Sequence, residues 1–223
     1  IAEAQDVIDE NPDTIIIATG GMPNLELFET KKDLENVFTS WDIISGDVKL
    51  AENILIYDEA GDHTAMQSAE IAIEKGSSVE FMTPDRLISS EIMGMNLTPY
   101  LKNLQNKKIT YSIAKRLKDV SIKGNKLNAI IGSDYDENFK HSSTYDQIFL
   151  NYGVKPLDEL YFNLVSFSKN AGEVNYTKFI KGEAQNIIKN KNNKFNLYRI
   201  GDAVSSRNIH AAIYDALRLV INL

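Results

Sequence analysis

The stretch Asp13-Thr-Ile-Ile-Ile-Ala-Thr-Gly-Gly-Met-Pro-Asn-Leu-Glu-Leu27 decides the fold, because the chain returns to it without a gap as Asp146-Gln-Ile-Phe-Leu-Asn-Tyr-Gly-Val-Lys-Pro-Leu-Asp-Glu-Leu160. Asp, Ile, Gly, Pro, Glu and Leu recur at one constant offset. Each copy is a short apolar run of the kind that fills a buried strand. Gly20 or Gly153 follows, where the chain turns sharply, and then Pro23 or Pro156, which stops further pairing. A strand ended by glycine and proline is common in any α/β protein, but the six matched positions favour a repeat.

Between the copies lies a βαβ unit. Asn53-Ile-Leu-Ile-Tyr57 reads as a strand, the turn carries Asp58 to Asp62, and a helix is expected from His63 to Lys75. Its apolar positions Ala65, Ala69, Ala72 and Ile73 share one face, and Gly76 ends it. Ser78 to Thr83 forms the next strand, so this is the entry of a doubly wound nucleotide-binding domain. Glu91 to Gln105 is expected to be helical, with Pro99 forcing a start or a kink. Ile109 to Ile113, Leu117 to Ile122 and Leu127 to Ile131 alternate like strands. With Gly124-Asn125 as a tight connection, they predict a small antiparallel flap.

Outside the repeat, a helical stretch leads into the strand at Ile15, and Phe195-Asn-Leu-Tyr-Arg-Ile-Gly-Asp-Ala203 delivers Gly201 and Asp202 to a strand's carboxyl end, where open α/β sheets bind ligands. Gly201 permits close backbone approach and Asp202 can accept from a ribose or ribitol hydroxyl. The helix His210 to Leu219 aims its N-terminus at a phosphate, and Arg207 adds charge pairing if it points inward. The alternative makes Asp202 an N-terminal cap and leaves Arg207 in solvent.

The inner turn is different. A dinucleotide fingerprint needs glycines for the tight turn, for the approach to pyrophosphate and for helix packing. Here its three positions fall on Asp58, Ala60 and His63. Asp58 and Asp62 also put negative charge where a diphosphate would sit, so NAD(P) binding is disfavoured. His63 is read as a capping or packing residue, and so is His210, while His141 falls in a polar turn.

Composition narrows the chemistry. The 223 residues contain no cysteine, which excludes a disulfide scaffold, a zinc ribbon or an iron–sulfur cluster built from this segment. With 43% hydrophobic and 25% charged residues and no long apolar run, the chain reads as soluble and not membrane-bound. Its net charge of −7 argues against a nucleic-acid partner. Ile1 in place of Met, with no signal peptide, leads to the expectation of a cytoplasmic piece cut or processed from something longer.

The pairing of Ile16-Ile-Ala-Thr-Gly20 with Tyr198-Arg-Ile-Gly-Asp-Ala203 resembles flavoproteins related to glutathione reductase, which have two dinucleotide-binding domains. More narrowly, the chain resembles the C-terminal part of the trimethylamine dehydrogenase, histamine dehydrogenase and 2,4-dienoyl-CoA reductase family. Ile56-Tyr-Asp-Glu-Ala-Gly-Asp-His63, Ile200-Gly-Asp-Ala-Val204 and Ala211-Ala-Ile-Tyr-Asp-Ala-Leu217 incline toward its amine dehydrogenase and N-demethylase branch.

The resemblance implies an α/β fold of two Rossmann-like FAD/NAD(P)-binding domains, one inserted in the other. Residues 1–46 and 151–223 would be the outer domain, lacking its first strand, and 47–150 the inserted one. It implies ADP or FAD in the outer domain, with FMN in a barrel and a 4Fe-4S iron–sulfur cluster, both in an N-terminal part outside this chain. By this resemblance Thr19 and Gly20 lie at the domain crossing near the cofactor, Gly201 and Asp202 contact the ribitol or phosphate region, and Ala203 with the following helix covers it. An electron-transfer protein and a second copy of the chain are the expected partners.

Three functions follow as alternatives. One is the nucleotide-binding portion of an enzyme oxidising or demethylating a small amine. A second is an NADPH-dependent reductase, with Arg86 pairing a 2′-phosphate. The third is a non-catalytic nucleotide-binding or scaffolding module. No residue pair in the chain reads as acid, base or nucleophile.

Overall fold

The computed structural model describes residues 2–25 and 34–221. Glu26 and Leu27, the end of the first copy of the repeat, lie outside them. The chain divides into two units: Ile1–Met22 with Val154–Leu223, and Pro23–Gly153.

The first unit opens with α1 (Ala4–Asp9), whose start is fixed by a capping box between Glu3 and Asp6. It leads into β1 (Thr14–Ile17) and, after Gly20 at φ +74°, into β2 (Gly21–Pro23). The second unit follows with β3 (Val37–Thr39), α2 (Ser40–Ser45), β4 (Asn53–Asp58), α3 (His63–Glu74) and β5 (Ser78–Met82). Then come α4 (Gly94–Leu104), β6 (Ile109–Ser112), β7 (Arg116–Lys123), β8 (Lys126–Gly132), β9 (His141–Tyr145) and β10 (Gln147–Asn151). The return into the first unit runs through β11 (Val154–Pro156), α5 (Glu159–Leu164), α6 (Tyr176–Lys181), β12 (Asn196–Arg199) and α7 (Ile209–Val220).

In the second unit a five-stranded sheet, ordered β3-β10-β4-β5-β6, is parallel throughout. Such a sheet must be covered on both faces. One core contains Ile54, Ile56, Phe81 and Phe149 with Ala65, Ala69 and Ala72 of α3, whose small side chains let the helix approach the strands. The other contains Leu55, Tyr57, Ile148 and Leu150 with the inner face of the antiparallel sheet β7-β8-β9, through Leu117, Val120 and Leu127 among others. The βαβ unit and the tight connection at Gly124-Asn125, between the paired Lys123 and Lys126, are as expected.

Two expectations are corrected. Ile109 to Ser112 is not part of the antiparallel flap but pairs in parallel with β5 as the sheet edge. The division near residue 47 falls instead at Met22 and Pro23, because Val37–Thr39 pairs with β10 inside the five-stranded sheet.

In the first unit β1 and β12 form a parallel pair, with Ile16 opposite Tyr198. Ile15, Ile17, Leu197, Leu164 and Phe195 form its core, with Val7 and Ile8 of α1 packed against it. The segments around Ile16 and Ile200 therefore share one sheet.

The repeat has a structural counterpart. β1, Gly20 and β2 correspond to β10, Gly153 and β11, with φ +74° and +79° at the two glycines. The second strands of the two copies, β2 and β11, pair with each other. A β-carbon at Gly21 would lie 2.6 Å from the Lys155 carbonyl oxygen, so glycine is required where they meet.

Candidate functional site

The turn after β12 is set by the parallel pairing that ends with Ile200 N–H donating to the Ile17 carbonyl at 3.0 Å. Gly201 then takes φ +61°, and a β-carbon on it would meet Ala212 Cβ at 3.4 Å. Residues Gly201–Ala203 make one 3-10 turn, with Ala203 fully buried. The Gly201 N–H points back into the unit, donating to Asp215 Oδ2 at 3.3 Å. Glycine here answers to the left-handed backbone and the closeness of α7.

Asp202 is half-buried, and its Oδ1 accepts the Arg207 backbone N–H at 3.3 Å. It does not cap α7. That role falls to Asn208, whose side chain accepts the Ala211 N–H at 2.9 Å. Arg207 points inward, but toward protein: its guanidinium pairs with both carboxylate oxygens of Asp215, which is 8% exposed. Arg199 is similarly engaged. It pairs with Asp158 at 2.5 Å, donates to the Ala203 carbonyl at 3.2 Å and lies over the Tyr161 ring at 4.6 Å. A cavity of about 430 Å³ opens between these groups, lined by Tyr161, Tyr176, Phe179, Arg199, Arg207 and Asp215 among others.

Thr19 and Gly20 sit at the chain crossing. The Thr19 hydroxyl donates to the Leu157 carbonyl, and the Gly20 carbonyl accepts the Leu157 N–H at 3.0 Å. Both polar contacts are made within the first unit.

The residues of this turn fit part of a nucleotide. Asp202 retains acceptor capacity beyond its one long hydrogen bond, which suits a sugar hydroxyl. The diphosphate is not provided for by Arg207, whose charge Asp215 already balances. Sequence reading singled out Gly201, Asp202 and Arg207 but not Asp215, which engages both the Gly201 N–H and the Arg207 guanidinium. The signal was the one carboxylate of a mostly apolar helix, which needs a cation when buried.

The turn after β4 does not fit a dinucleotide. Asp58 is fully buried, and its Oδ1 accepts from the Gly61 N–H at 2.9 Å, the Ala60 N–H at 3.2 Å and Asn151 Nδ2 at 2.9 Å. Asp62 caps α3 through the Thr64 N–H at 2.9 Å and takes a second bond from Asn151 Nδ2 at 3.0 Å. The donors that would face a phosphate in a glycine-rich turn thus already face carboxylates of this chain.

Asp58 Oδ2 is buried with no hydrogen-bond partner among the described residues. Burial pushes the carboxyl up to about 7, against the opposing pull of the Gly61 N–H and the Asn151 amide. The loop after β5 seals the turn, with the Glu91 N–H on the Gly61 carbonyl at 3.0 Å. His63 packs against Tyr100, His210 and Arg86 are exposed, and His141 belongs to β9 with Nε2 2.9 Å from the Ser143 hydroxyl. Among the described residues no group of metal-ligating side chains is assembled, and no helix is long and apolar enough to cross a membrane.

No protein-family model matches the chain. It is 50% identical over 219 residues to a probable N-methylproline demethylase of Rhizobium meliloti, covering 98% of this chain and 32% of the relative. It is 30% identical over 227 residues to an N,N-dimethylglycine/sarcosine dehydrogenase of Chromohalobacter salexigens, covering 98% of this chain and 33% of the relative. The chain therefore spans about a third of the length of these curated relatives.

Among solved structures, the 6-hydroxypseudooxynicotine amine oxidase of Pseudomonas geniculata matches all of this chain over 31% of its own, with TM-score 0.75 at 20% identity. The thioredoxin reductase of Lactococcus lactis matches 92% of this chain over 63% of its own, with TM-score 0.60 at 16% identity. The fold is thus that of the FAD/NAD(P)-binding Rossmann-like reductases. Sequence and fold together fit the C-terminal domains of the trimethylamine dehydrogenase-like family.

Proposed function

We propose that this chain is the nucleotide-binding C-terminal portion of a flavin-dependent oxidoreductase that oxidises or demethylates a small N-methylated amine, with the FMN barrel and the iron–sulfur cluster elsewhere in the polypeptide. The observation that carries the reading is the 50% identity, along nearly the whole chain, to a probable N-methylproline demethylase.

In this reading the first unit holds ADP or FAD. Asp202 accepts a ribose or ribitol hydroxyl, Gly201 and Ala203 keep the backbone turn tight beneath the sugar, and the start of α7 lies toward the phosphates. Thr19 and Gly20 hold the chain crossing beside the nucleotide, and Arg207 keeps Asp215 neutralised within the unit. A flavin, when bound in the whole protein, supplies the two-electron acceptor for amine oxidation. The second unit takes no NAD(P), a reading supported by the carboxylates that occupy its turn. A cytoplasmic homo-oligomer that hands electrons to a separate carrier protein completes the proposal.

The test is made on the full-length protein. Flavin absorbance and iron should both be present, and anaerobic mixing with N-methylproline, sarcosine or dimethylglycine should bleach the flavin, whereas NADPH should not. ADP should raise the melting temperature, as any ligand of the native state must. Absence of both flavin and iron overturns the reading, and rapid bleaching by NADPH replaces it with a reductase.

A further inference from the structure

Asp215 lies in the second turn of α7, and with Leu219, four residues on, it is buried. Side chains of a helix lean toward its N-terminus, so this carboxylate reaches back to the turn after β12. Its Oδ2 accepts the Gly201 N–H at 3.3 Å, and both of its oxygens pair with the Arg207 guanidinium. Gly201 and Arg207 are the two ends of the segment 201–207, which carries Asp202.

Within that segment the Gly201 carbonyl accepts the Val204 N–H at 2.9 Å and the Ser205 N–H at 3.4 Å. The Arg207 N–H donates to Asp202 Oδ1 at 3.3 Å. A closed circuit therefore runs from Asp215 to Gly201, along the chain to Asp202, across to Arg207 and back to Asp215. It commits one oxygen of Asp202, while the other, Oδ2, takes no bond among the described residues. Pairing a partly exposed arginine does not require a buried carboxylate, since the same charge would serve at the helix surface without loss of hydration. The Gly201 N–H is different: Gly201 is itself buried, and the carboxylate meets it only from the inner face of α7.

We infer that Asp215 is a positioning residue for the nucleotide site. By holding Gly201 and Arg207 together, it fixes Asp202 with Oδ2 free for a ribose or ribitol hydroxyl, while its own oxygens are taken up by the chain. The inference rests on the reading that the first unit holds ADP or FAD through Asp202, and it adds the group that sets the geometry of that contact.

The test uses the full-length protein with ADP as the probe. By calorimetry Asp215→Ala should weaken ADP binding about tenfold, as Asp202→Ala does. In the Asp202→Ala background it should add less than about twofold, because a residue that acts through Asp202 then has nothing left to position. Asp215→Asn keeps an acceptor for the Gly201 N–H and should lose about threefold. Where the alanine variant does not fold, Asp215→Asn takes its place, and its loss should likewise vanish without Asp202. Hydrogen exchange of residues 201–207 without nucleotide, read by mass spectrometry, should quicken at least about threefold in Asp215→Asn while β1 keeps its wild-type rate. An ion pair that only stabilises the unit would quicken both. Unchanged ADP affinity, a loss just as large in the Asp202→Ala background, or exchange that rises equally in β1 overturns the inference and leaves the nucleotide reading standing. Wild-type protein that binds no ADP refutes the nucleotide reading, and the inference with it.

Discussion

At the end of β4 the chain's own Asp58 carboxylate gathers two backbone N–H groups and the Asn151 amide. At the end of β12 the corresponding carboxylate, Asp202, has a single long bond from the Arg207 backbone, while Gly201 leaves the turn open to a left-handed backbone. Both are strand-to-helix turns at the carboxyl end of a parallel strand, where α/β sheets bind ligands. The difference shows that a strand-end turn can be held by a carboxylate beside it or by one reaching in from a distant helix, and that the second arrangement leaves Asp202 with spare acceptor capacity. At the end of β4 a carboxylate of the strand itself takes the turn's donors, whereas after β12 the Gly201 N–H goes to Asp215 of the distant helix and the Arg207 N–H to Asp202.

The most disruptive way to break this comparison is Asp58→Ala, which leaves the Gly61 and Ala60 N–H groups and the Asn151 amide without their acceptor in a buried site. It should cost ~2–4 kcal/mol, read from melting of the full-length protein. Asp58→Asn sharpens the point. With its folded value near 7, above the unfolded one, native Asp58 binds a proton more readily than the unfolded chain between about pH 4 and pH 7. That contribution to stability is full below the window and lost as pH rises through it, so Asp58→Asn should fall less in melting temperature than wild type between pH 5 and pH 8. A steeper fall in the variant contradicts the assignment.

Next are the two glycines. Gly61, at φ +68°, would place a β-carbon 2.6 Å from Ser90 Oγ, whereas Gly201 has 3.4 Å to Ala212 Cβ. Gly61→Ala should cost ~2–3 kcal/mol and Gly201→Ala ~1–2 kcal/mol. Denaturant melts that reverse this order break the comparison.

Arg207→Ala strands the buried Asp215 carboxylate. The expected loss is ~1–2 kcal/mol, because the partly exposed guanidinium limits the strength of the pair. Smallest in stability is Asp202→Ala, within about 0.5 kcal/mol of wild type. Under the proposed function it should nevertheless weaken ADP binding about tenfold by calorimetry, the loss of one hydrogen bond to a charged acceptor. An unchanged affinity removes Asp202 from the site.

Much of this was legible in the residues. The repeated strand–glycine–proline signal marked both crossings, and the β4-α3-β5 unit followed from apolar runs and one small-residue helix face. Val37–Thr39 was not legible, because three residues carry too little pattern to announce a strand, and so the unit boundary was set too late in the chain. Ile109–Ser112 alternates like an antiparallel strand because it lies at the sheet edge, where one face is less covered. The partners that define the two turns were hidden by distance along the chain: Asn151 lies 93 residues from Asp58, and Asp215 joins Arg207 only once α7 has formed.

One hydrogen bond near the crossing has a consequence for how such a chain diversifies. The Asn24 N–H donates to the Gly153 carbonyl at 2.9 Å, so the second unit begins and ends at the same spot, like a loop drawn closed by a string. Everything between those residues can be exchanged, enlarged or trimmed with little demand on the strands that precede and follow it. On the proposed function, this is how a lineage could lose ligand chemistry in the inner module without disturbing the unit that hosts it.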